Sequence, residues 1–517
     1  MSAQLVNSLG LVLAVAALSV AGVRWLRVAQ REHYLPGATT LFGRRWWGSG
    51  SLNLVVGLIG SAGALVSVWY PPAGFAAVLA GGTAPIGLSL RGRTSKVAWT
   101  GRLRRLAILS VALAAVVVGG AGVAGLHPAF TAAAICAMAA PALVDVALLV
   151  VRPLEARLLR AYVEKARRRL RAVAPHIVAI TGSYGKTTTK GYVAHLVSGA
   201  RSVVATPASF NNTAGLARAV NEHLATGTSV FVAEMGTYGP GEIAAMCEWA
   251  APEVAVITAI GPVHIERMKT LERIAEAKAE IIEKAGTVVL NVDYPLLEQL
   301  AQKAEEEGKT VWRCSSLGPR ADVAVTAEDG NLRVRASHFT GQMDVSVATL
   351  PEAEPGNVAC AVAAALSLGV PVQVVAARLT SLPGAPHRRS RQHGANGADI
   401  IDDTYNANPD GARAALGLLA VSGSEGGKKV VVTPGMVELG TLQSRENTYF
   451  AASAGAVATQ LVVVGRTNAR ALMAGARAAG LPARHVRNRA GAVAWVSANL
   501  GPGDAVLYEN DLPDHYP

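Results

Sequence analysis

Five long apolar runs fill the first 151 residues of this 517-residue chain and constrain its fold more than any other feature. A bilayer span needs about 20 consecutive apolar residues, and the third run, short and glycine-rich, fits that length least well. A signal peptide would account for one run only, and the first run lacks a basic segment before it. The sequence therefore predicts an all-α transmembrane region of about five spans over residues 1–151. The runs are residues 5–23, 52–70, 73–90, 106–126 and 130–151.

Basic residues are concentrated after the first, third and fifth runs, whereas the connections "YPP" and "HP" contain neither Lys nor Arg. Basic loops remain on the cytoplasmic side of a membrane. The sequence thus predicts a multi-pass plasma-membrane protein with its N-terminus outside and everything after residue 151 in the cytoplasm. The basic residues are Arg24, Arg27, Arg31, Arg44 and Arg45, then Arg91, Arg93, Lys96, Arg102, Arg104 and Arg105, then Arg152, Arg157, Arg160, Lys165, Arg167, Arg168, Arg169 and Arg171.

Charge and cysteine content narrow the classes of partner and compartment. The net charge of +12 suggests nucleic acid or an anionic membrane. The basic loops account for much of it, so the lipid bilayer is the expected partner and nucleic acid is not. Asp145 in the fifth run is either a functional acid within the membrane or a side chain that packs near the helix end. The four cysteines are scattered and suggest neither a zinc site nor a disulfide framework, which fits a reducing compartment.

Residues 152–175 connect the membrane region to the rest of the chain. Apolar residues recur there at helical spacing among many basic ones. The pattern predicts an amphipathic helix that lies along the anionic inner leaflet, with an ordinary solvated linker helix as the alternative. The apolar residues are Leu154, Leu158, Leu159, Tyr162 and Val163.

From residue 176 onward, strands rich in β-branched residues alternate with helical stretches. This alternation is typical of an α/β fold with a parallel sheet covered on both faces. A first block ends near residue 383, and within it residues 310–350 alternate and turn at "EDGN", which predicts a small antiparallel appendage. A second block of strands and helices occupies residues 384–517.

The segment "AITGSYGKTTTK" (179–190) follows a strand and opens a helix, as a phosphate-binding loop does. Gly182 and Gly185 permit a tight turn, and the N–H groups at the helix start point toward a bound phosphate. Lys186 would neutralise phosphate oxygens, and Thr187 could bind Mg²⁺. The loop has two residues fewer between its glycines than G-x-x-x-x-G-K-[ST], and a plain strand–helix turn is the alternative.

Further polar residues stand at strand ends or on a helix. Glu234 ends one strand and His264 follows another, at the edge where parallel sheets bind ligands. Lys278 lies on an Ala-rich helix among acidic residues, and "DDTYNANPD" (402–410) joins a strand to a helix. Taken singly, each has an ordinary structural interpretation: a loop acid, a structural histidine, a surface lysine, and a turn with a helix cap.

The order of these pieces resembles the Mur ligase family over about residues 176–510, and that family has the short loop T-G-x-x-G-K-T. Within it, the branch that adds D-alanyl-D-alanine to a UDP-linked muramoyl tripeptide is the most similar. The resemblance implies a P-loop central domain over residues 176–383 that binds ATP, and a Rossmann-like C-terminal domain over residues 384–517 that closes over it. The matching pieces, in order, are the phosphate loop, "FNN" (210–212), Glu234, His264, Lys278 and "DDTYNANPD".

The resemblance also implies roles for particular residues. Lys186, His264 and Lys278 would be catalytic. Two Mg²⁺ ions would be held by Thr187, Glu234, His264 and Lys278, the last carbamylated so that a cation becomes a carboxylate-like ligand. The implied ATP contacts are Gly182, Ser183, Tyr184, Gly185, Lys186, Thr187, Thr188, Asn212, Asn357, Arg388 (with Arg389 as an alternative register), Asp403 and Asn406.

The implied activity is an ATP-dependent carboxylate–amine ligase of cell-envelope synthesis that works through an acyl phosphate. Its partners would be ATP, a muramoyl peptide or other envelope acceptor, and an amino acid or dipeptide. A membrane-bound synthase of a poly-amino-acid such as poly-γ-glutamate is one alternative. An ATP-driven transporter is an alternative of another class, although the apolar runs lack a chain of paired charges.

Three features depart from the family pattern. Membrane runs occupy the place of the N-terminal UDP-sugar-binding domain, which favours a lipid-linked or polymeric acceptor. The adenine-side pattern G-H-N-x-x-N reads "GNVAC", with Asn357 retained and Cys360 in place of the second Asn. The chain ends in "ENDLPDHYP", where relatives continue with a Lys-Gly-Ser type segment, so recognition of the substrate by the C-terminal domain is expected to differ.

Overall fold

The computed structural model describes most of the chain in two compact units. The units are Met1–Leu159 with Leu512–Pro517, and Arg160–Asp511. The second unit thus begins at residue 160. The described residues are 2–48, 50–88, 90, 97–207, 210–263, 265–318, 321–328, 331–338, 341–348, 353–384, 389–405, 408–512 and 516.

All regular secondary structure in the described part of the first unit is helical. Two of its helices, α1 and α5, are long and apolar enough to cross a membrane, and the bent pairs α2–α3 and α6–α7 raise the number of candidates to at most four. The predicted count of five differs because the third run forms only the ten-residue helix α4. The helices are α1 (Ala3–Arg31), α2 (Ala38–Trp47), α3 (Ser51–Val66), α4 (Gly74–Thr83), α5 (Gly101–Val123), α6 (Leu126–Met138) and α7 (Ala140–Val173).

Two buried charged residues of the first unit form hydrogen bonds with backbone groups at helix ends. Asp145 accepts hydrogen bonds from the backbone N–H groups of Thr39 and Thr40, at 3.3 and 2.8 Å, in the first turn of α2. The Arg24 guanidinium donates to the carbonyls of Gly81 and Ala84 at the end of α4. Unpaired groups at helix termini need such partners. Of the two interpretations of Asp145, the structure thus supports packing at a helix end.

A nine-stranded sheet organises the first part of the second unit, in the order β2-β3-β1-β4-β5-β6-β7-β8-β9. The strands up to β7 run parallel, and β7, β8 and β9 pair antiparallel. The predicted parallel sheet with an antiparallel appendage is confirmed, except that β6 pairs in parallel with β5. The strands are β1 (His176–Thr181), β2 (Val203–Ala205), β3 (Val230–Glu234), β4 (Val254–Ile257), β5 (Thr287–Asn291), β6 (Thr310–Ser315), β7 (Val323–Glu328), β8 (Asn331–His338) and β9 (Gly341–Ala348).

Helices cover both faces of the parallel strands, each over its own apolar core. Residues of α8, α14 and α15 pack on one face, and residues of α9, α10, α12 and α13 pack on the other. The helices are α8 (Lys186–Val197), α9 (Thr213–His223), α10 (Glu242–Cys247), α11 (Ile265–Met268), α12 (Leu271–Ala279), α13 (Pro295–Glu306), α14 (Pro355–Ser367) and α15 (Val372–Leu379).

The end of α7 belongs to the second of these cores. Ala166 and Leu170 are buried there, with Tyr162 and Val163 packed against them. Arg169 donates to the carbonyl of Leu224 just after α9, at 2.7 Å. For residues 162–173 the prediction of a helix lying along the inner leaflet is therefore wrong, because their apolar face is covered by protein.

The second sheet has the order β10-β11-β15-β12-β13-β14, and only the edge strand β10 is antiparallel. Residues of α16, α17 and α18 pack on one face and α19 packs on the other. The elements are β10 (Ser390–His393), β11 (Asp399–Asp403), α16 (Pro409–Ala420), β12 (Lys429–Thr433), α17 (Gln443–Ala454), β13 (Gln460–Val464), α18 (Ala469–Ala478), β14 (Ala483–Val486), α19 (Arg489–Asn499) and β15 (Ala505–Glu509).

Candidate active site

The phosphate-binding loop lies between β1 and α8, where the sequence placed it. Gly182 and Gly185 have φ values of +152° and +78°, a backbone region that favours glycine. A Cβ on Gly182 would lie 2.1 Å from Thr258 Oγ1, and one on Gly185 would lie 2.1 Å from Asn357 Oδ1. Both glycines are therefore required by close packing as well as by the turn.

The loop is anchored to the segment that follows β4. Ser183 N donates to the Ala259 carbonyl at 2.8 Å. The Ser183 hydroxyl donates to the Gly261 carbonyl at 3.1 Å and accepts from Gly261 N at 2.9 Å. Lys186 starts α8, and its ammonium donates to the Gly182 carbonyl at 2.7 Å. The ammonium thus lies over the loop, and Thr188 follows half-buried in the first turn of α8.

Glu234, at the end of β3, is buried in a cluster of polar side chains. It accepts hydrogen bonds from Lys190 Nζ at 2.9 Å, Thr187 Oγ1 at 3.0 Å and Asn211 Nδ2 at 3.2 Å. Burial would raise the pKa of Glu234, but the charges of Lys190 and Lys186 outweigh it and hold that pKa below its ordinary value. Glu234 is therefore ionised at neutral pH.

The structure brings together two of the residues predicted to bind metal. A hydroxyl and an ionised carboxylate are oxygen donors of the kind that Mg²⁺ prefers, so Thr187 and Glu234 fit the ion. His264, the third, lies outside the described residues. Within the described ranges no three His, Cys, Asp or Glu side chains form a metal-binding group.

Replacing Glu234 with glutamine is expected to destabilise the second unit by roughly 3–5 kcal/mol, because the buried Lys190 would lose the carboxylate of its ion pair. The side chain of Lys190 is only 7% exposed. Thermal unfolding of the purified protein in detergent measures the change. The control is Glu222→Gln, which breaks an exposed ion pair with Arg218 on α9 and should cost about 0.5 kcal/mol or less. Equal effects of the two substitutions would contradict this prediction, and a second change of Lys190 to methionine should restore stability.

Lys278 lies near the end of α12 and is buried, with 5% of its surface exposed. Burial, with the nearby charge of Lys186, lowers the pKa of Lys278 well below its ordinary value. No carboxylate pairs with it among the described residues. A lowered pKa favours the neutral, nucleophilic form of the amine. The predicted exposed alternative, a surface lysine among acidic residues, is therefore wrong.

Of the two residues at the adenine-side pattern, Asn357 lies beside the phosphate loop and Cys360 lies in the core. Asn357 on α14 touches Gly185, as its closeness to that glycine shows. Cys360, one turn later, is fully buried in the same apolar core as Cys314. Cys360 therefore fills the interior and leaves Asn357 as the polar group of this helix beside the loop.

Of the remaining residues predicted to contact ATP, some lie within the described residues and others lie outside them. Asn212 caps α9 by accepting from Gly215 N at 2.9 Å. Asp403 ends β11 and accepts from Arg389 N at 3.2 Å, while the Arg389 guanidinium donates to Glu354 at 2.6 Å. Of the two arginine registers only Arg389 can be placed, since Arg388 lies outside the described residues, as does Asn406.

Tyr184 turns inward from the loop. A Cβ on Gly261 would lie 2.2 Å from the Tyr184 hydroxyl, so the ring rests directly against that glycine. The hydroxyl is buried and has no hydrogen-bond partner among the described residues. Burial is the main cause that raises the pKa of Tyr184, so the phenol remains protonated.

Sequence reasoning missed two members of the Glu234 cluster. Lys190 lies one helical turn after Lys186 in "GKTTTK", and Asn211 is the first asparagine of "FNN". Their side chains reach Glu234 from α8 and from the segment before α9. The available signal was the one-turn spacing on α8, which places Lys186 and Lys190 on the same side of the helix.

Family models match most of the second unit. The Mur ligase middle domain matches residues 180–365, and the Mur ligase glutamate ligase domain matches residues 387–508. Together they include both sheets and the phosphate loop.

Several characterised relatives are similar in sequence. A UDP-N-acetylmuramoyl-tripeptide–D-alanyl-D-alanine ligase of Mycobacterium tuberculosis is 34% identical over 252 residues, 47% of this chain and 48% of the relative. The chain therefore spans about half the length of that relative. The enzyme of the same name from Mycobacterium leprae is 32% identical over 364 residues, 64% of this chain and 70% of the relative.

Solved structures of similar proteins share the fold. MurF from Acinetobacter baumannii has a TM-score of 0.60 and 25% identity over 68% of this chain and 77% of its own. MurF ligase from Thermotoga maritima, solved in complex with ADP, has a TM-score of 0.57 and 25% identity over 68% of this chain and 80% of its own. Domain models, relatives and folds agree, and the chain belongs to the Mur ligase family.

Proposed function

We propose that the chain is an ATP-dependent ligase that joins the carboxylate of a muramoyl peptide to the amine of a dipeptide such as D-alanyl-D-alanine. The main support is the phosphate loop with Lys186 folded over it and Thr187 beside the ionised Glu234. Relatives named for this reaction are similar in sequence, one of them at 32% identity over 364 residues. Substitutions of the site residues distinguish this proposal from a protein that keeps the fold but is catalytically inactive.

The reaction proceeds in two steps. An oxygen of the acceptor carboxylate attacks the γ-phosphorus of ATP. The bond from that phosphorus to the β,γ-bridging oxygen breaks, so that ADP departs and an acyl phosphate is formed. The nitrogen of the incoming amine then attacks the acyl carbon, and inorganic phosphate leaves with the bonding electrons. Catalysis of such transfers is mainly positioning and charge stabilisation.

The residues of the chain divide this work. The loop N–H groups and the Lys186 ammonium bind the terminal phosphates. Thr187 and Glu234 would hold Mg²⁺, which would neutralise charge at those phosphates. Lys190 keeps Glu234 ionised and fixed. Once carbamylated, Lys278 would add an anionic oxygen ligand. The tightly packed Gly182 and Gly185 let the backbone approach the nucleotide.

The test supplies the purified protein with ATP and either UDP-linked or lipid-linked muramoyl tripeptide, with and without D-alanyl-D-alanine. Mass spectrometry of the product and phosphate release are measured. Amide product that depends on all three substrates is expected. Phosphate release with glutamate as the only organic substrate would favour a poly-γ-glutamate synthase instead. Steady ATP turnover without any amine would favour a transporter.

We also propose that the first unit lies in the plasma membrane and holds the ligase at its cytoplasmic face. Large apolar side chains are exposed along its helices, as expected for contact with lipid. Aromatic residues lie at helix ends, where interfacial belts occur: Trp69 and Tyr70 follow α3, and Trp99 precedes α5 beside basic residues. The exposed apolar residues include Leu9, Val12, Leu58, Ile59, Ile108, Val111 and Val116.

Reporter fusions test the proposed orientation. Alkaline phosphatase fused after Pro72 or after Gly125 is expected to be active, because both positions would lie outside. Green fluorescent protein fused after Trp99 or after Ala174 is expected to fluoresce, because both would lie in the cytoplasm. This pattern requires the short third run to cross as well. Fusions after Pro72 and Trp99 that report the same side would contradict it.

A further inference from the structure

An acidic pair stands at the carboxyl edge of the C-terminal sheet. The neighbouring strands β11 and β15 end in Asp403 and Glu509, which are register partners. Each continues the column of core residues that packs against α16–α18, so the two side chains lie on the same face of the sheet. Open α/β sheets bind ligands at this edge.

Glu509 is fully buried and only half satisfied. Its Oε2 accepts a hydrogen bond from the hydroxyl of Thr433, at the end of β12. Its Oε1 is also buried and has no hydrogen-bond partner among the described residues. Burial raises the pKa of Glu509 to about 8, the Thr433 hydrogen bond opposes this, and the charge of Asp403 adds to it. A buried polar atom without a partner calls for an explanation such as a ligand or a catalytic role.

Contiguous contacts connect this pair to the phosphate loop. Asp403 accepts from Arg389 N at 3.2 Å, and the Arg389 guanidinium donates to Glu354 at 2.6 Å. Glu354 is the N-cap residue of α14, the helix whose Asn357 touches Gly185. The acidic pair and the nucleotide loop therefore belong to one network of side chains in the second unit.

We propose that Glu509 Oε1, beside Asp403, receives the ammonium group of the amine substrate and accepts one of its protons. This rests on the proposed function, from which it takes both the amine substrate and the acyl phosphate. One N–H bond breaks and an O–H bond forms on Oε1. The freed lone pair of the nitrogen then attacks the acyl phosphate. The positive charge of the ligand offsets the burial of the carboxylate, and a carboxyl group that titrates near neutral pH is suited to proton transfer.

The contacts of the two carboxyl groups favour an ammonium ion over a divalent metal ion. Glu509 Oε2 already accepts from Thr433, and Asp403 Oδ1 already accepts from Arg389 N. Mg²⁺ and Ca²⁺ take six or more oxygen ligands, which this pair does not supply. An ammonium needs one to three acceptors, and Glu509 Oε1, which has no hydrogen-bond partner among the described residues, can provide one.

The test compares Glu509→Gln with wild type in the full chain. The first half-reaction is measured as ADP–ATP exchange with the acceptor peptide and no amine, and the complete reaction is measured at varied dipeptide. We expect exchange and the KM for ATP to be unchanged, while kcat/KM for the dipeptide falls at least about 100-fold. Hydroxylamine, largely unprotonated at neutral pH, should trap the acyl phosphate equally well in both proteins. Glu425→Gln, an exposed acid of the same domain, is the control.

The outcomes separate the two proposals. Absence of exchange in the wild type would overturn the proposed ligase function itself. Normal exchange with unchanged use of the dipeptide by Glu509→Gln would overturn the role of Glu509 alone, as would an equal loss of dipeptide and hydroxylamine reactivity. A loss of Mn²⁺ affinity with unchanged dipeptide kinetics would assign the pair to a metal ion and likewise overturn it.

Discussion

Replacing Lys186 with alanine is expected to lower kcat on the order of 10³-fold, the loss typical of removing one group that stabilises developing charge. The Lys186 ammonium lies over the phosphate loop, 2.7 Å from the Gly182 carbonyl. Its charge also acts on Glu234 and on Lys278. Its removal would therefore take away the proposed phosphate ligand and disturb both neighbouring groups.

Product formation with ATP and acceptor, together with the dissociation constant of a fluorescent ATP analogue, measures the effect of Lys186→Ala. Lys186→Arg should restore little, because the planar guanidinium replaces a compact ammonium in a tight loop. The control is Lys303→Ala on α13, whose side chain is 70% exposed and whose loss should leave activity unchanged. Activity of Lys186→Ala within tenfold of wild type would remove Lys186 from the site.

Replacing Lys278 with alanine is expected to lower kcat more than about 100-fold, since even residues that only support metal ligands cost 10- to 100-fold when changed. Lys278 is buried, and its pKa is lowered first by burial and then by the charge of Lys186. The neutral amine is the form that adds carbon dioxide. Carbamylation would turn the ordinary cation into an anion beside Lys186 and would remove their repulsion.

Two measurements check the role of Lys278. Labelling with ¹³C-bicarbonate should give a carbamate signal by NMR in wild type that is absent from Lys278→Ala. Depleting bicarbonate should lower wild-type activity, and bicarbonate should restore it. The control is Lys284→Ala, which removes an exposed lysine that follows Lys278 in the sequence and pairs with Glu248. A fully active Lys278→Ala protein in bicarbonate-free buffer would exclude this metal ligand.

The sequence was sufficient to predict those features that depend on neighbouring residues alone. Gly182, Gly185 and Lys186 lie in a strand–loop–helix unit whose geometry follows from glycine, spacing and the helix start. The parallel sheet follows from strands that are apolar on both faces. Glu234 could be placed near Thr187 because strands β1 and β3 end at the same edge.

The features that were missed depend on contacts between distant segments. Lys190 becomes a buried ion-pair partner only because β3 brings Glu234 under α8. Glu509 differs from a surface acid only because three strands end around it. The end of α7 has the amphipathic pattern of a membrane-surface helix, and that pattern does not distinguish lipid from a protein core as the apolar partner. The five apolar runs show length and composition but not where α4 ends.

The contact between Tyr184 and Gly261 has an evolutionary consequence. The two residues are 77 positions apart in the sequence, yet a methyl group on Gly261 would lie 2.2 Å from the tyrosine hydroxyl. A large aromatic residue at 184 can therefore arise in a lineage only while 261 is glycine, and it then prevents any other residue from becoming established there. Among homologues these two positions should change together, and the tyrosine–glycine pair should mark a distinct branch of the family.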